Sequence, residues 1–179
     1  RDERPMFEPD PAGWISIPYI IKRASTEYPG HPLATVNGQW LCELARNNLK
    51  ARFEVREKSP GTYDAVRAAQ GHSSATQRYI NKDLLLSQIV SEAEARAAGW
   101  LKLFHGTGET QVTAILETGA LLPGGKRGAT FRRDVHFAPY GPGDARIIGG
   151  MRFASVAMME FDFIALIRAG YEFRVSSNG

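Results

Sequence analysis

"KARFEVREKSPGTYDAVRAAQGHS", residues 50–73, breaks the periodicity of the chain before it. Phe53 and Val55 alternate with Arg52, Glu54 and Arg56, the period of two that gives a strand its two faces. Ser59-Pro60-Gly61 supplies a turn and Tyr63 to Arg67 carries the chain back, which reads as a β-hairpin. With the turn centred near Ser59 and Pro60, Arg52 falls opposite or nearly opposite Arg67, and Lys50 shares a face with Arg52. Like charges facing each other across a ladder destabilise it, so this arrangement asks for an anion. A phosphate suits it, because a guanidinium donates two parallel hydrogen bonds to paired oxygens while a lysine acts as a mobile point charge. A register slipped by one would instead turn the same side chains into water. Gln70-Gly71-His72-Ser73 then leaves the hairpin with donors arranged around a glycine, the make-up of a loop that contacts a phosphate or a ribose.

Upstream of the hairpin, "SIPYIIKRAS" places Pro18 just inside a helix start behind Ser16. Val36 to Asn47 carries Trp40, Leu41 and Leu44 at helical spacing and stops at Asn47-Asn48. Two helices followed by a hairpin resemble a winged-helix lobe. Residues 80–100 read as helix and connection. From Leu101 the texture changes to short strands, "LKLFHGTGE", "VHFAP", "ASVAMMEFDF" and "YEFRVSS", with one amphipathic helix, "TQVTAILETGALL", stopped at Gly119. The fold class expected is α+β in two lobes, 1–95 winged-helix-like and 96–179 built of short strands.

The chain has 179 residues, enough for one domain or two small lobes. No stretch approaches the about 20 apolar residues of a membrane span, and none reads as a secretory leader. The one cysteine, Cys42, sits in the apolar helical pattern "WLCELA" and has no internal disulfide partner. Cytoplasm or nucleus is the compartment expected. The net charge of +3 says little about a partner, but Lys50 to Arg56, Arg67 and Lys126 to Arg133 gather basic residues, either as solvated surface or as a footprint for nucleic acid. No His, Cys or carboxylate cluster has ligand spacing, so no metal is expected.

Two further motifs could carry chemistry. In "HGTGE" a histidine at a strand end, followed by glycine and threonine, lets main-chain N–H groups and a hydroxyl approach a ligand, although such a histidine also serves as a turn cap. In "RRDVHFAP" His136 lies between Val135 and Phe137, so that it could face a cleft whose opposite wall is His105, with Arg132 at the mouth. A charged edge strand is the plain alternative.

The order of these pieces, "NNLKARF", "VRAAQGHS", "LFHGT", "ILETGALL", "RRDVHFA", "GMRFASVAMMEFD" and "GYEFRVSSNG", resembles the KptA family of RNA 2′-phosphotransferases from about Gly13 to Gly179. The resemblance implies an enzyme that uses NAD⁺ to remove the internal 2′-phosphate of a spliced RNA, with tRNA as partner, a monomer, and an ADP-ribosyltransferase-like C-terminal lobe. It implies phosphate ligation by Lys50, Arg52 and Arg132, with Arg127 and Arg133 close enough to take the last position. It implies NAD⁺ contacts from His105, Gly106, Thr107 and His136, and RNA contacts from Gln70, Gly71, His72 and Ser73; the hairpin geometry adds Arg67. The reaction implied has two displacements. The RNA 2′-phosphate attacks the anomeric carbon of the nicotinamide ribose and expels nicotinamide; the 2″-hydroxyl then attacks phosphorus, freeing 2′-hydroxyl RNA and ADP-ribose 1″,2″-cyclic phosphate.

The chain departs from the family pattern in places. The Leu-Arg-His step of the family, upstream of Gly13-Trp14, is not matched at Arg1-Asp2. In a protein made of these residues alone, the second displacement is expected to lag and the branched intermediate to accumulate. Gly124 to Thr130 lengthens the loop before Arg132, Ala138 stands where many members have Ser, and Asn178-Gly179 falls where the family continues into a strand. Two other functions stay compatible with the residues: ADP-ribosyl transfer to a phosphorylated nucleic-acid end or another acceptor, and a non-catalytic RNA-binding module. An unrelated α+β domain is the third alternative.

Overall fold

The computed structural model describes residues 7–30, 32–35, 37–48, 51–70, 72–123, 134–147, 155 and 157–177. It is an α+β protein whose chain forms two compact units, Arg1–Leu86 with Ser176–Asn178, and Ser87–Val175.

In the first unit a short strand β1 (Ile15–Ser16) leads into helix α1 (Ile17–Glu27). Ser16 is its N-cap, accepting from the Tyr19 N–H at 3.2 Å, and Pro18 sits in the first turn, where its missing N–H costs no bond. A 3₁₀ turn (Pro32–Thr35) precedes α2 (Gly38–Arg46), capped by Asn37, whose side chain accepts from the Trp40 N–H at 2.8 Å. Both helices lie where the apolar spacing and the capping residues put them. Strands β2 (Phe53–Ser59) and β3 (Thr62–Ala68) form the hairpin, and the antiparallel sheet order is β1-β3-β2. Helix turns α3 (Ser74–Gln77) and α4 (Lys82–Leu85) complete the unit.

The hairpin register corrects the expectation for its charges. Ser59 pairs with Thr62, so Pro60 and Gly61 are the central turn residues, with Gly61 at φ +76°, a conformation glycine takes without strain. Moving the turn one residue along changes the partner of Arg67 from Arg52 to Glu54. Arg52 instead lies opposite Ala69, whose N–H donates to the Arg52 carbonyl at 2.9 Å. The change in register is even, so Arg52 and Arg67 still share a face, but the cross-strand neighbour of Arg67 is a carboxylate rather than a second guanidinium.

In the second unit α5 (Glu92–Ala97) starts on a capping box, Ser91 bonding the Glu94 N–H while the Glu94 carboxylate returns to Ser91. Strand β4 (Lys102–Thr107) follows, then α6 (Glu109–Thr118), which ends at Gly119 in the left-handed region at φ +65°. Strand β5 (Ala157–Asp162) pairs antiparallel with β4, His105 opposite Met159. Helix α7 (Phe163–Arg168) starts at once, because the Asp162 carboxylate caps it through the Ala165 N–H at 2.8 Å. The alternation in "AMMEFDF" reads as strand through Phe163 and hides this helix. The "VHFAP" and "YEFRVSS" strands are not formed as expected. Residues 134–137 carry no regular structure, and the segment pairs with β4 only at the isolated bridge Phe104–Ala138, beyond which Pro139 has no N–H to extend a ladder; Arg174 makes an isolated bridge to Ile89. Val90, Ala95, Leu103, Phe163 and Ile164 are buried at the centre of this unit, with Trp100, Phe137, Phe161 and Phe173 packed against them.

Candidate functional site

One face of the hairpin carries Arg52, the residue before β2, with Glu54 and Arg56 on β2, since alternate residues of an extended chain share a face. Arg56 is closed on Asp64 by two hydrogen bonds of 2.9 Å, a fork that holds the Asp64 carboxyl below its ordinary range. Glu54 accepts from Arg67 Nη2 at 2.9 Å and from the Ser177 hydroxyl. Arg67 also donates from Nη1 to the carbonyls of Ala12 at 3.0 Å and Leu84 at 3.5 Å. Its guanidinium lies 4.5 Å from the centre of the Trp14 ring, and that of Arg56 lies 5.4 Å from it. Trp14 is thus flanked by two arginines, each already neutralised by a carboxylate. Arg52 is exposed, and its guanidinium has no partner among the described residues.

The chain leaves β3 into Gln70, His72 and Ser73. Ser73 is the N-cap of α3, its hydroxyl accepting from the Thr76 N–H at 3.4 Å. His72 is half-buried. Burial holds its imidazole below the ordinary value, a hydrogen bond with the Ala68 backbone pulls the other way, and the Arg67 charge lowers it further. Its buried Nε2 has no hydrogen-bond partner, nor does the buried Nε of Arg67.

In the second unit β4 delivers His105, Gly106 and Thr107 to the sheet end where α6 begins. His105 Nδ1 lies 2.8 Å from the carbonyl of His136; a carbonyl only accepts, so Nδ1 carries the hydrogen. In the neutral ring Nε2 is left as the acceptor. Phe137 packs edge-on to His105 with ring centres 5.9 Å apart. The structure therefore joins His105 and His136 through a main-chain acceptor on a neighbouring segment. Gly108, the N-cap of α6, has no side chain to offer the first-turn N–H groups. Lys50, Gly71 and Arg132, with Arg127 and Arg133, lie outside the described residues.

Sequence reasoning missed Glu54 and Trp14, the two side chains that engage Arg67. The signal was available in the pairing arithmetic: a turn on Pro60-Gly61 puts residue 54 against residue 67.

Fold and site are those of an α+β protein with an open arginine on one hairpin and a tautomer-fixed histidine at a strand end. The sequence model of the RNA 2′-phosphotransferase, Tpt1 / KptA family matches residues 2–179, and the chain belongs to that family. It is 28% identical over 170 residues to a probable RNA 2′-phosphotransferase of Trichormus variabilis, covering 94% of this chain and 75% of the relative. The corresponding protein of Streptomyces griseus is 29% identical over 182 residues, covering 100% of this chain and 82% of the relative. A tRNA 2′-phosphotransferase 1 of Bos taurus is 32% identical over 105 residues, 59% of this chain and 35% of that protein.

Proposed function

We propose that this chain is an NAD⁺-dependent transferase that removes an internal 2′-phosphate from RNA, with tRNA as the substrate class, giving 2′-hydroxyl RNA, nicotinamide and ADP-ribose 1″,2″-cyclic phosphate. The observation that carries the reading is the family match along nearly the whole chain, which spans both the hairpin with its open arginine and the His105-Gly106-Thr107 strand end. The first unit is the RNA-binding, winged-helix-like part, and the second is the ADP-ribosyltransferase-like part that takes NAD⁺. Arg52, with Lys50 and Arg132, receives the phosphate, where fixed cations stabilise charge on the transferring phosphoryl group. Gln70, Gly71, His72 and Ser73 border the RNA.

His105 Nε2, an acceptor in the neutral ring, suits a ribose hydroxyl. Gly106 keeps the backbone approachable, and Thr107 is half-buried with a hydroxyl that has no side-chain partner among the described residues. The first-turn N–H groups of α6 favour an anionic group such as a pyrophosphate. His136 contributes its carbonyl to the tautomer of His105. Among the described residues no helix is long and apolar enough to cross a membrane. A monomer working in cytoplasm or nucleus completes the proposal.

The test is incubation of the protein with NAD⁺ and an RNA bearing an internal 2′-phosphate, followed by mass spectrometry. Loss of the phosphate that depends on NAD⁺ supports the proposal. RNA that only gains an ADP-ribose mass points to transfer halted after the first displacement, and unchanged RNA overturns the enzymatic reading. Thermal shift with NAD⁺ isolates the second unit: at a hundredfold excess over Kd a ligand stabilises by about 2.7 kcal/mol, and His105→Ala should lose most of that shift. An equal shift in both proteins would remove His105 from the NAD⁺ site.

A further inference from the structure

Arg52, just before β2, and Glu54 and Arg56 on it follow one another on one face, and they differ in what holds them. Arg56 is closed on Asp64. Glu54 is closed on Arg67 and on Ser177. Arg52 keeps its main chain in the ladder through Ala69, while its guanidinium is exposed and unpartnered among the described residues. Residues two apart on a strand lie roughly 7 Å apart on one face, within reach of a long guanidinium side chain. Glu54 is therefore the nearest carboxylate along the chain that shares this face with Arg52.

Glu54 is held elsewhere. Its ion pair with Arg67 is the more sheltered arrangement, with the Arg67 side chain 12% and the Glu54 side chain 28% exposed, and Coulomb attraction is stronger away from water. Arg67 is in turn fixed by the Ala12 and Leu84 carbonyls and by the face of Trp14, so its charge stays on Glu54. A phosphate ligand needs donors turned outward. Arg67 has committed three of its four Nη hydrogens to the protein, and its Nε is buried.

We infer that Arg67 is a positioning residue and not a phosphate ligand: by holding the Glu54 carboxylate it keeps the Arg52 guanidinium free for an RNA phosphate. The inference rests on the reading that Arg52 binds RNA phosphate. It places Arg67 one step behind the site, acting through the charge balance of the hairpin face.

The experiment measures binding of a 2′-phosphorylated oligoribonucleotide to the full chain without NAD⁺, as a function of salt, below the melting temperature of each variant. The variants are Arg52→Gln, Arg67→Gln, Glu54→Gln and the double Glu54→Gln/Arg67→Gln, whose paired amides can still hydrogen-bond. Each phosphate contact contributes roughly 0.7 to 0.9 to the slope of log K against log salt. Arg52→Gln should lower the slope by about one such step. Arg67→Gln should lower it similarly, because the released Glu54 carboxylate neutralises Arg52. Glu54→Gln alone should leave the slope unchanged, and the double variant should regain the wild-type slope.

A double variant as weak as Arg67→Gln would overturn the inference and make Arg67 a direct ligand. An Arg52→Gln variant with the wild-type slope would overturn the reading of Arg52 itself, and the inference with it. Should the amide variants fail to fold, Glu54→Leu/Arg67→Met replaces the pair by apolar side chains, an exchange proteins commonly tolerate. A wild-type slope there supports the positioning role, and a slope reduced by one contact overturns it.

Discussion

The β2–β3 hairpin of the first unit and the β4–β5 pair of the second fix their side chains by opposite means. The hairpin face is held by charge: Arg56 on Asp64 and Arg67 on Glu54, with Trp14 between the guanidinium groups. Its buried neighbours are aliphatic, Ala65 and Val66 on β3, Ala69 just after it, Ile17 on α1, and Ala45 on α2 beside Cys42. The second unit is held by aromatic packing, with Phe163 and Phe173 rings 4.8 Å apart and Phe137 against Phe161 at 5.4 Å, all edge to face. Among the described residues the two ion pairs of the hairpin leave its Arg52 and Lys58 without a carboxylate partner. The β4–β5 pair has its ion pair, Lys102 with Glu160, on the exposed side, and beside the aromatic core His105 is set by one hydrogen bond to a carbonyl. The first arrangement suits an anion, the second an oriented sugar.

The difference can be broken or sharpened by measurement. Phe163 is 2% exposed at the centre of the second unit, and Phe163→Ala should destabilise that unit by about 3–5 kcal/mol. The loss should be the same at low and high salt in denaturant unfolding followed by hydrogen exchange on β4. A strongly salt-dependent loss would mean that charge also holds this unit.

Glu54→Ala leaves the mostly buried Arg67 without its carboxylate, and a loss of about 1–3 kcal/mol is expected in the first unit. Denaturant melts that do not move would show that Arg67 is satisfied by Ala12, Leu84 and Trp14 alone.

His72 sharpens the comparison through pH. Its folded-state value lies below the ordinary 6.5, so between the two values the unfolded chain binds more protons than the folded one. Stability from this group is therefore complete above about pH 6.5 and declines as pH falls through the window below it. His72→Gln should flatten that part of the pH–stability curve of the first unit. If the slope persists in the variant, other groups produce it.

The smallest effect is expected at the rim. Asp64→Asn breaks the fork with Arg56, an exposed pair, and should shift the melting temperature only slightly at low salt and not measurably at high salt.

The sequence by itself determined the elements whose signals are local. Ser16 with Pro18, Asn37, and Gly119 mark helix ends by the chemistry of their own side chains or backbone, and the structure puts α1, α2 and α6 there. The hairpin too was legible, from alternation and Pro60-Gly61. So were the motif order of the family and the strand that carries His105. Helix α7 was not, because "EFDF" alternates as a strand does, and only the Asp162 cap within the packed aromatic cluster turns the chain there.

Tertiary structure decided which charge meets which. Period-two alternation puts Arg52, Glu54 and Arg67 on one face under either turn, so pattern alone cannot choose the partner of Arg67. Register chose Glu54, and burial beside Trp14 made that pair the stronger one. Likewise, "HGT" and "VH" lie far apart in the chain with no local signal joining them. The bridge of Phe104 to Ala138 brings the His136 carbonyl to His105 and so selects one tautomer of its imidazole. Local chemistry writes helix caps and turns into the sequence; a contact between distant segments is set by how backbones pair, which no residue encodes alone.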